Sequence, residues 1–146
     1  MKLEELNEYF LLYGELSVLN NRMQACENEG YSDLTMKQHF LLVSIYLFKE
    51  EYPTLKESGD LIGCSYQNVK RLALQLEKKG YLSIVTDAVD KRKLRLIPTG
   101  KFEELGVEKN NLAEKFMQRL YQNVPPDELH IALKTIRQMA DNIKEG

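Results

Sequence analysis

The segment from Thr54 to Thr99 constrains the fold of this chain more than any other stretch, because its hydrophobic pattern changes from helical to alternating within that span. The first part of this segment contains sequence signals for the N-termini of two helices. Thr54 with Glu57 three residues later is typical of a capping box, and Ser65 is a preferred helix N-cap directly after Gly63. Two short helices joined by a glycine-containing turn of this length predict a helix-turn-helix.

The second of these helices, over residues 65–79, has one clear apolar face. Its apolar residues follow the i, i+3, i+4, i+7 spacing of a helix that is buried on one side: Val69, Leu72, Ala73 and Leu76. Gly80 is expected to end it, because glycine is common directly after a helix. Alternation over residues 82–86 and again over 94–98 then predicts a β-hairpin with a charged tip at residues 87–93.

Helices are predicted on both sides of this segment. A capping box at Thr35 and Gln38 starts one of them, with an expected buried face at Phe40, Leu41, Ile45 and Phe48. The first helix of the chain is predicted over residues 3–29 with Gly30 as its stop, and the last from about Asp127. Between Gly100 and the last helix another helix is expected, with one apolar face: Leu112, Ala113, Phe116, Met117, Leu120 and Tyr121.

Charge is distributed unevenly along the chain. Nine basic and three acidic side chains lie between Ser65 and Lys101, so this window has a net charge of +6, whereas the whole chain has −2. A basic patch on an acidic protein is typical of a polyanion partner, although a solvated charged surface gives the same count. At about 100° per residue, Gln67, Arg71 and Lys78 lie opposite Val69, with Lys70 on the flank.

Amide and guanidinium groups on that outer face are suited to reading base edges in a major groove, glutamine with adenine and arginine with guanine. At the hairpin tip, Arg92 suits insertion into a minor groove, and Asp90 is expected to orient its guanidinium through a salt bridge. First-turn groups of the helix are expected to hold phosphates. The predicted DNA-contacting residues are Thr54, Ser65, Tyr66, Gln67, Asn68, Lys70, Arg71, Lys78, Asp90, Lys91, Arg92 and Lys93.

Both terminal helices carry apolar stripes in steps of four and three, from Leu12 to Cys26 and from Leu129 to Ile143. The part of the chain between them is too small to cover both stripes in an obvious way. Pairing of two chains would bury them in an isologous interface, and packing within one chain is the alternative. The predicted fold is mostly α with a small β-hairpin wing, in a single domain over residues 1–146. Residues 33–100 form the winged helix-turn-helix, and residues 1–30 and 101–146 form dimerisation helices.

With these features the chain resembles the MarR family of bacterial transcriptional regulators over nearly its whole length. The resemblance rests on Leu34-Thr35, Thr54-Leu55-Lys56-Glu57, Gly63-Cys64-Ser65, Leu72, Leu76, Glu77, Lys78 and Gly80, and most specifically on Asp90-Lys91-Arg92 followed by Pro98-Thr99. It implies a homodimer on pseudo-palindromic promoter DNA, with residues 65–79 as recognition helix and Arg92 as wing arginine. It also implies release of DNA by a small, often phenolic or anionic, ligand.

Other function classes find little support in the sequence. It lacks a glycine-rich phosphate loop, a nucleophile elbow and a paired His/carboxylate motif, so no enzyme activity is expected. The isolated His39 and His130 and the widely spaced Cys26 and Cys64 give no expectation of a metal or a cofactor. No apolar run approaches the length of about 20 residues that a membrane span needs, and the N-terminus does not read as a signal peptide. A cytoplasmic protein without a membrane partner is expected.

The predicted function is therefore sequence-specific DNA binding by a homodimeric transcriptional regulator, a repressor released by a small-molecule ligand. Two alternatives stay open. One is a winged-helix module that binds only proteins, for which Arg71 and Arg92 would not be needed. The other is a regulator that senses oxidants through a thiol, Cys26 or Cys64, although packing is the simpler role for both side chains.

Overall fold

The computed structural model describes residues 7–27, 33–104 and 114–144, in two compact units that lie within Met1–Asn110 and Asn111–Gly146. The described elements of the first unit are α1 (Glu8–Glu27), α2 (Met36–Ile45), α3 (Leu55–Ile62), α4 (Tyr66–Lys78), β1 (Leu82–Thr86), β2 (Leu94–Pro98) and α5 (Lys101–Glu104). Those of the second are the helical residues 114–120 (α6) and α7 (Pro126–Asn142). The expected stop at Gly30 and the apolar positions Leu112 and Ala113 lie outside the described residues.

Local side-chain hydrogen bonds start α2 and α3 where the sequence predicted. The Thr35 hydroxyl accepts from the Gln38 amide at 3.2 Å, and Gln38 Oε1 accepts from the Thr35 amide at 3.1 Å. The same reciprocal pair joins Thr54 and Glu57, at 3.1 and 3.2 Å. Both capping boxes are confirmed, and each satisfies two backbone groups that a helix start leaves without an intrahelical partner.

A tight turn joins α3 to α4. Gly63 ends α3 in the left-handed conformation, with φ of 72°, which a residue with a Cβ adopts only at a cost. The Ser65 hydroxyl then accepts from the Asn68 amide at 3.3 Å and caps α4. On α3, a Cβ at Gly59 would lie 3.1 Å from Val69 Cγ1, so glycine permits close packing of the two helices. The helix-turn-helix prediction is confirmed.

The hairpin is antiparallel, with Leu82 opposite Pro98 and Thr86 opposite Leu94, as the alternating pattern predicted. Gly80 precedes it with φ of 82°. The expected fold class, mostly α with a β-hairpin wing, is confirmed. Among the described residues, none of the helices combines the length and the apolar character that crossing a bilayer requires.

The core of the first unit lies where α2, α3, α4 and the hairpin meet. Its buried apolar residues are Leu34, Leu41, Leu42, Ile45, Leu55, Val69, Leu72, Ala73, Leu76, Tyr81, Leu82 and Leu96. All four predicted α4 positions belong to it. Two expectations on α2 are wrong: Phe40 is 50% exposed, with Leu42 buried instead, and Phe48 lies beyond the end of the helix and is half-buried. The buried side of α2 is centred between Leu41 and Ile45, and Phe40 lies about 100° from Leu41 around the helix.

Two buried serines give a matched test of hydrogen bonding in this core. Ser44 on α2 donates from its hydroxyl to the Leu41 carbonyl at 2.7 Å, whereas the Ser58 hydroxyl on α3 is buried without a protein partner. Replacement by alanine changes helix propensity equally at both sites. Because an unsatisfied buried hydroxyl costs about 1–3 kcal/mol, Ser58→Ala should raise the free energy of unfolding relative to Ser44→Ala by about 1 kcal/mol or more. Urea unfolding of both variants measures this difference, and equal values would contradict it.

Candidate nucleic-acid interface

The outer face of α4 is polar, cationic and exposed. With Val69, Leu72, Ala73 and Leu76 turned into the core, Gln67, Arg71 and Lys78 are exposed and Lys70 is half-buried. Leu74 is 49% exposed. This face therefore has side chains that donate and accept hydrogen bonds, and it contributes nothing to the buried core.

The first turn of α4 adds further polar groups at the N-terminal end of the helix. Ser65, Tyr66 and Asn68 are exposed, and Ser65 is occupied as the N-cap. Backbone N–H groups in the first turn of a helix have no intrahelical acceptor, and together with the helix dipole they favour an anion. The turn is thus chemically suited to a phosphate.

The tip of the hairpin presents Arg92 in a fixed orientation. Its side chain is 91% exposed, yet Nε and Nη2 donate to the two carboxylate oxygens of Asp90 at 3.1 and 3.2 Å. The Arg92 amide also donates to Asp90 at 3.1 Å. The predicted salt bridge between these residues is confirmed, and it lowers the pKa of Asp90. Lys91 and Lys93 beside them are exposed.

Asp87 holds the base of this tip. Its Oδ2 accepts from the amides of Val89 and Asp90 at 3.1 and 2.7 Å, and its Oδ1 accepts from Arg95 Nε. Its side chain is 8% exposed. The hydrogen bond from the Asp90 amide and the pairing with Arg95 lower the pKa of Asp87 to about 2.

Arg95 and its partners form a contact that the sequence did not reveal. Besides Asp87, its guanidinium reaches the connection between α2 and α3, where Nη1 donates to the Tyr52 carbonyl at 2.6 Å and Nη2 lies 3.3 Å from Glu51. The only local signal is Asp87 at the start of the tip. Tyr52 and Glu51 are more than forty residues away in the chain, so no spacing rule connects them to Arg95.

Lys79 and Lys101 are likewise bonded within the protein. Lys79 Nζ donates to the carbonyl of Asp33 and to Gln38 Oε1, the latter at 2.9 Å. Lys101 Nζ donates to the Lys79 carbonyl and lies 4.6 Å from the ring centre of the buried Tyr81. Burial and a hydrogen bond to Asp33 raise the pKa of Tyr81 to about 12. The basic window therefore divides into three residues bonded to other elements of the fold and six on α4 and the tip, of which Arg92 is paired with its neighbour Asp90: Lys70, Arg71, Lys78, Lys91, Arg92 and Lys93.

Thr54 differs from the other predicted contact residues. It is only 6% exposed, its hydroxyl is occupied in the cap of α3, and its backbone forms an isolated bridge with Arg95. These contacts give Thr54 a structural role, and we leave it out of the contact surface. The other eleven predicted residues lie on the outer face and first turn of α4 or at the wing tip.

Cysteine and histidine side chains form no site within the part of the chain that the structure describes. Cys26 and Cys64 are unpaired by disulfide and half-buried, and Cys64 packs against the core. His39 packs edge-on against Phe102 with ring centres 5.6 Å apart, and burial lowers its pKa. In residues 7–27, 33–104 and 114–144, no group of three metal-binding side chains comes together.

A capped helix pair, an exposed cationic second helix and an adjoining antiparallel hairpin define a winged helix-turn-helix. Among winged helix-turn-helix proteins, comparison with solved structures shows that this chain has the fold of the MarR regulators. A MarR protein from Peptoclostridium difficile matches 98% of this chain and 92% of its own, with a TM-score of 0.77 and 21% identity. BpsR from Bordetella bronchiseptica matches 97% of each chain, with a TM-score of 0.75 and 20% identity.

The S. aureus MepR–DNA complex has the same fold, with a TM-score of 0.71 and 16% identity. The match covers 95% of this chain and 100% of the MepR chain. No family model and no curated protein sequence matches the chain. The fold that the sequence resemblance implied is confirmed by structural similarity.

The low pKa of Asp87 predicts a pH-dependent contribution to stability. A carboxyl whose pKa falls on folding stabilises the folded state above its unfolded pKa of 3.8, and this stabilisation is lost as the pH falls towards about 2. Wild type should therefore be more stable than Asp87→Asn at neutral pH, with the gap narrowing between about pH 4 and pH 2. Urea unfolding across this range measures the gap. A gap that does not change with pH would contradict the lowered pKa of Asp87 and the contacts with the Asp90 amide and Arg95 that cause it.

Proposed function

We propose that this chain is a sequence-specific DNA-binding transcriptional regulator that acts as a homodimeric repressor on a pseudo-palindromic operator. One observation carries the proposal. Of the nine basic residues in the window, three are bonded to other elements of the fold, and the other six, including the Asp90-paired Arg92, lie on α4 and at the wing tip. Charges that served only solubility would not need to cluster on these two elements.

On α4, Gln67 and Arg71 lie four residues apart and are exposed on the same side. Side chains at this spacing can reach neighbouring base pairs, with glutamine bidentate to adenine and arginine bidentate to guanine. Lys70 and Lys78 flank them and are suited to phosphates on either side of the groove. Ser65, Tyr66 and Asn68 would contact the backbone at the helix start. The rest of the chain is net acidic, so the net positive charge of the sequence lies in this region.

At the wing, Arg92 would enter the minor groove adjacent to the major groove that α4 occupies. The bidentate contact with Asp90 holds the guanidinium in one orientation before binding, which reduces the conformational entropy lost on binding. A narrow minor groove concentrates negative potential and attracts such a side chain. Lys91 and Lys93 would contact the phosphates that border the groove.

Exposed apolar side chains on the terminal helices support the homodimer. On α7, Leu133 and Ile136 are 46% and 44% exposed, and Ile143, directly after the end of α7, is 82% exposed. On α1, Tyr9 and Phe10 are 84% and 64% exposed. Apolar surface on this scale marks an interface, and a second copy of the chain would cover it. In a two-fold dimer the two α4 helices would read half-sites about 10 base pairs apart.

Release by a small molecule is part of the proposal. It is supported by BpsR, whose structure concerns regulation of DNA binding by 6-hydroxynicotinic acid. A regulator of this kind would act on promoter DNA in the cytoplasm and would need no enzyme activity.

Two substitutions should affect DNA binding differently. Arg92→Ala removes a cation from the groove, so it should weaken binding to all sequences and reduce the slope of log K against log salt by about one. Arg71→Ala, or Gln67→Ala, should cost about 1–3 kcal/mol on the operator and relax base preference at one position. Fluorescence anisotropy with fragments of the promoter of the protein's own gene, at several salt concentrations, measures both effects.

The control for these variants is Lys134→Ala, which removes an exposed cation from α7 and should leave binding unchanged. If the wild-type protein binds no genomic DNA at low salt, this result overturns the proposal and favours the alternative of a module that binds only proteins.

Charge on the α7 stripe should break the dimer. A carboxylate at Leu133 or Ile136 would be buried without a partner in the proposed interface, at a cost of several kcal/mol per ion. Leu133→Glu and Ile136→Glu should therefore sediment as monomers, while Gln138→Glu, on the opposite side of α7, should stay dimeric. Sedimentation velocity gives the mass, and circular dichroism checks that each variant is folded. A wild type that is a monomer would contradict this arrangement.

A further inference from the structure

We propose that Arg95 is a positioning residue for DNA binding, which makes no DNA contact and holds the wing tip in place against the connection between α2 and α3. This inference rests on the proposed DNA-binding function. In the sequence Arg95 is one more cation in a basic window. In the structure it contacts three residues in two other parts of the protein, Asp87 at the base of the tip and Glu51 and Tyr52 on the connection between α2 and α3.

Each of the three guanidinium nitrogens of Arg95 has a partner within the protein. Nε donates to Asp87, Nη1 donates to the Tyr52 carbonyl at 2.6 Å, and Nη2 lies 3.3 Å from Glu51. The side chain is only 17% exposed. Arg92 is also paired but is 91% exposed, whereas Arg95 lies between two carboxylates with little surface left for a phosphate.

These contacts continue to the tip through charged hydrogen bonds. The second oxygen of Asp87 accepts from the amides of Val89 and Asp90. Asp90 in turn holds the guanidinium of Arg92 at 3.1 and 3.2 Å. The arginine proposed to enter the minor groove is therefore connected through Asp90, Asp87 and Arg95 to the segment that joins α2 and α3. Hydrogen bonds to charged groups are about twice as strong as neutral ones.

The other strand has its own attachment. The Ile84 amide on β1 donates to Glu77 Oε2 of α4 at 2.7 Å, while on β2 the Leu96 amide donates to the Pro53 carbonyl at 2.9 Å, next to Arg95. A two-stranded hairpin alone is marginally stable in water. Attachment of both strands fixes the position of the wing relative to α4. Because α4 and the wing are proposed to enter two adjacent grooves, a distance between them that is set before binding lowers the cost of binding.

Two variants distinguish this role from a phosphate contact. Arg95→Gln should weaken operator binding about tenfold or more, the effect expected for residues within one coupled set of contacts. The slope of log K against log salt should not change, because no phosphate contact is lost. Arg95→Lys keeps the charge but lacks the planar fork, so it should restore only part of the affinity. A slope that falls by about one, as for Arg92→Ala, with near-complete rescue by lysine, would overturn the proposal.

A second measurement needs no DNA. Amide hydrogen exchange in Arg95→Gln should become faster at Val89 and Asp90, whose amides depend on Asp87, and should not change at Ile45 in the core of α2. Faster exchange throughout the chain would mean that Arg95 serves global stability only, and it would overturn the proposal. Unchanged exchange at the wing would overturn it too.

The two experiments separate the possible failures. If wild type binds no DNA, the proposed function fails together with the DNA role of Arg95, while hydrogen exchange still decides whether Arg95 holds the wing. If wild type binds DNA and Arg95→Gln binds equally well, the function stands and the positioning role is wrong.

Discussion

The close contact between α3 and α4 is the constraint on which the rest of the winged helix depends. Gly59 brings the backbone of α3 against Val69, and Gly63 turns the chain in a left-handed conformation that fixes the angle between the helices. With α4 held in this way, its apolar side completes the core, and its end delivers the buried Tyr81 and the first strand of the hairpin. The positions of all groups proposed to contact DNA follow from this packing.

Local signals explain why so much of this fold could be predicted. The capping boxes at Thr35 and Thr54 involve residues three apart, and the buried face of α4 follows from one helical period. The pairing of Asp90 with Arg92 also spans only two residues, within reach of sequence reasoning. Where the physical cause is short in sequence, the pattern indicates the structure.

The features that could not be predicted depend on distant parts of the chain. The partners of Arg95 on the α2–α3 connection become neighbours only after the core has formed. For the same reason the sequence predicts the helix start at Thr54 but not its burial, which results from its bridge to Arg95 and its place in the cap. Phe40 is exposed because which side of a short helix is buried depends on its neighbours as well as on its own period.

The outer face of α4 carries a consequence for how such a protein can diverge. Gln67 and Arg71 bond to no core group and occupy the side of the helix that the core does not use. Surface substitutions away from buried or bonded groups usually change stability by less than about 0.5 kcal/mol. Selection can therefore exchange these two side chains freely while the buried side of the same helix stays constant. If α4 reads DNA as proposed, duplicated copies of a gene with this architecture could acquire new target sequences without passing through an unstable intermediate.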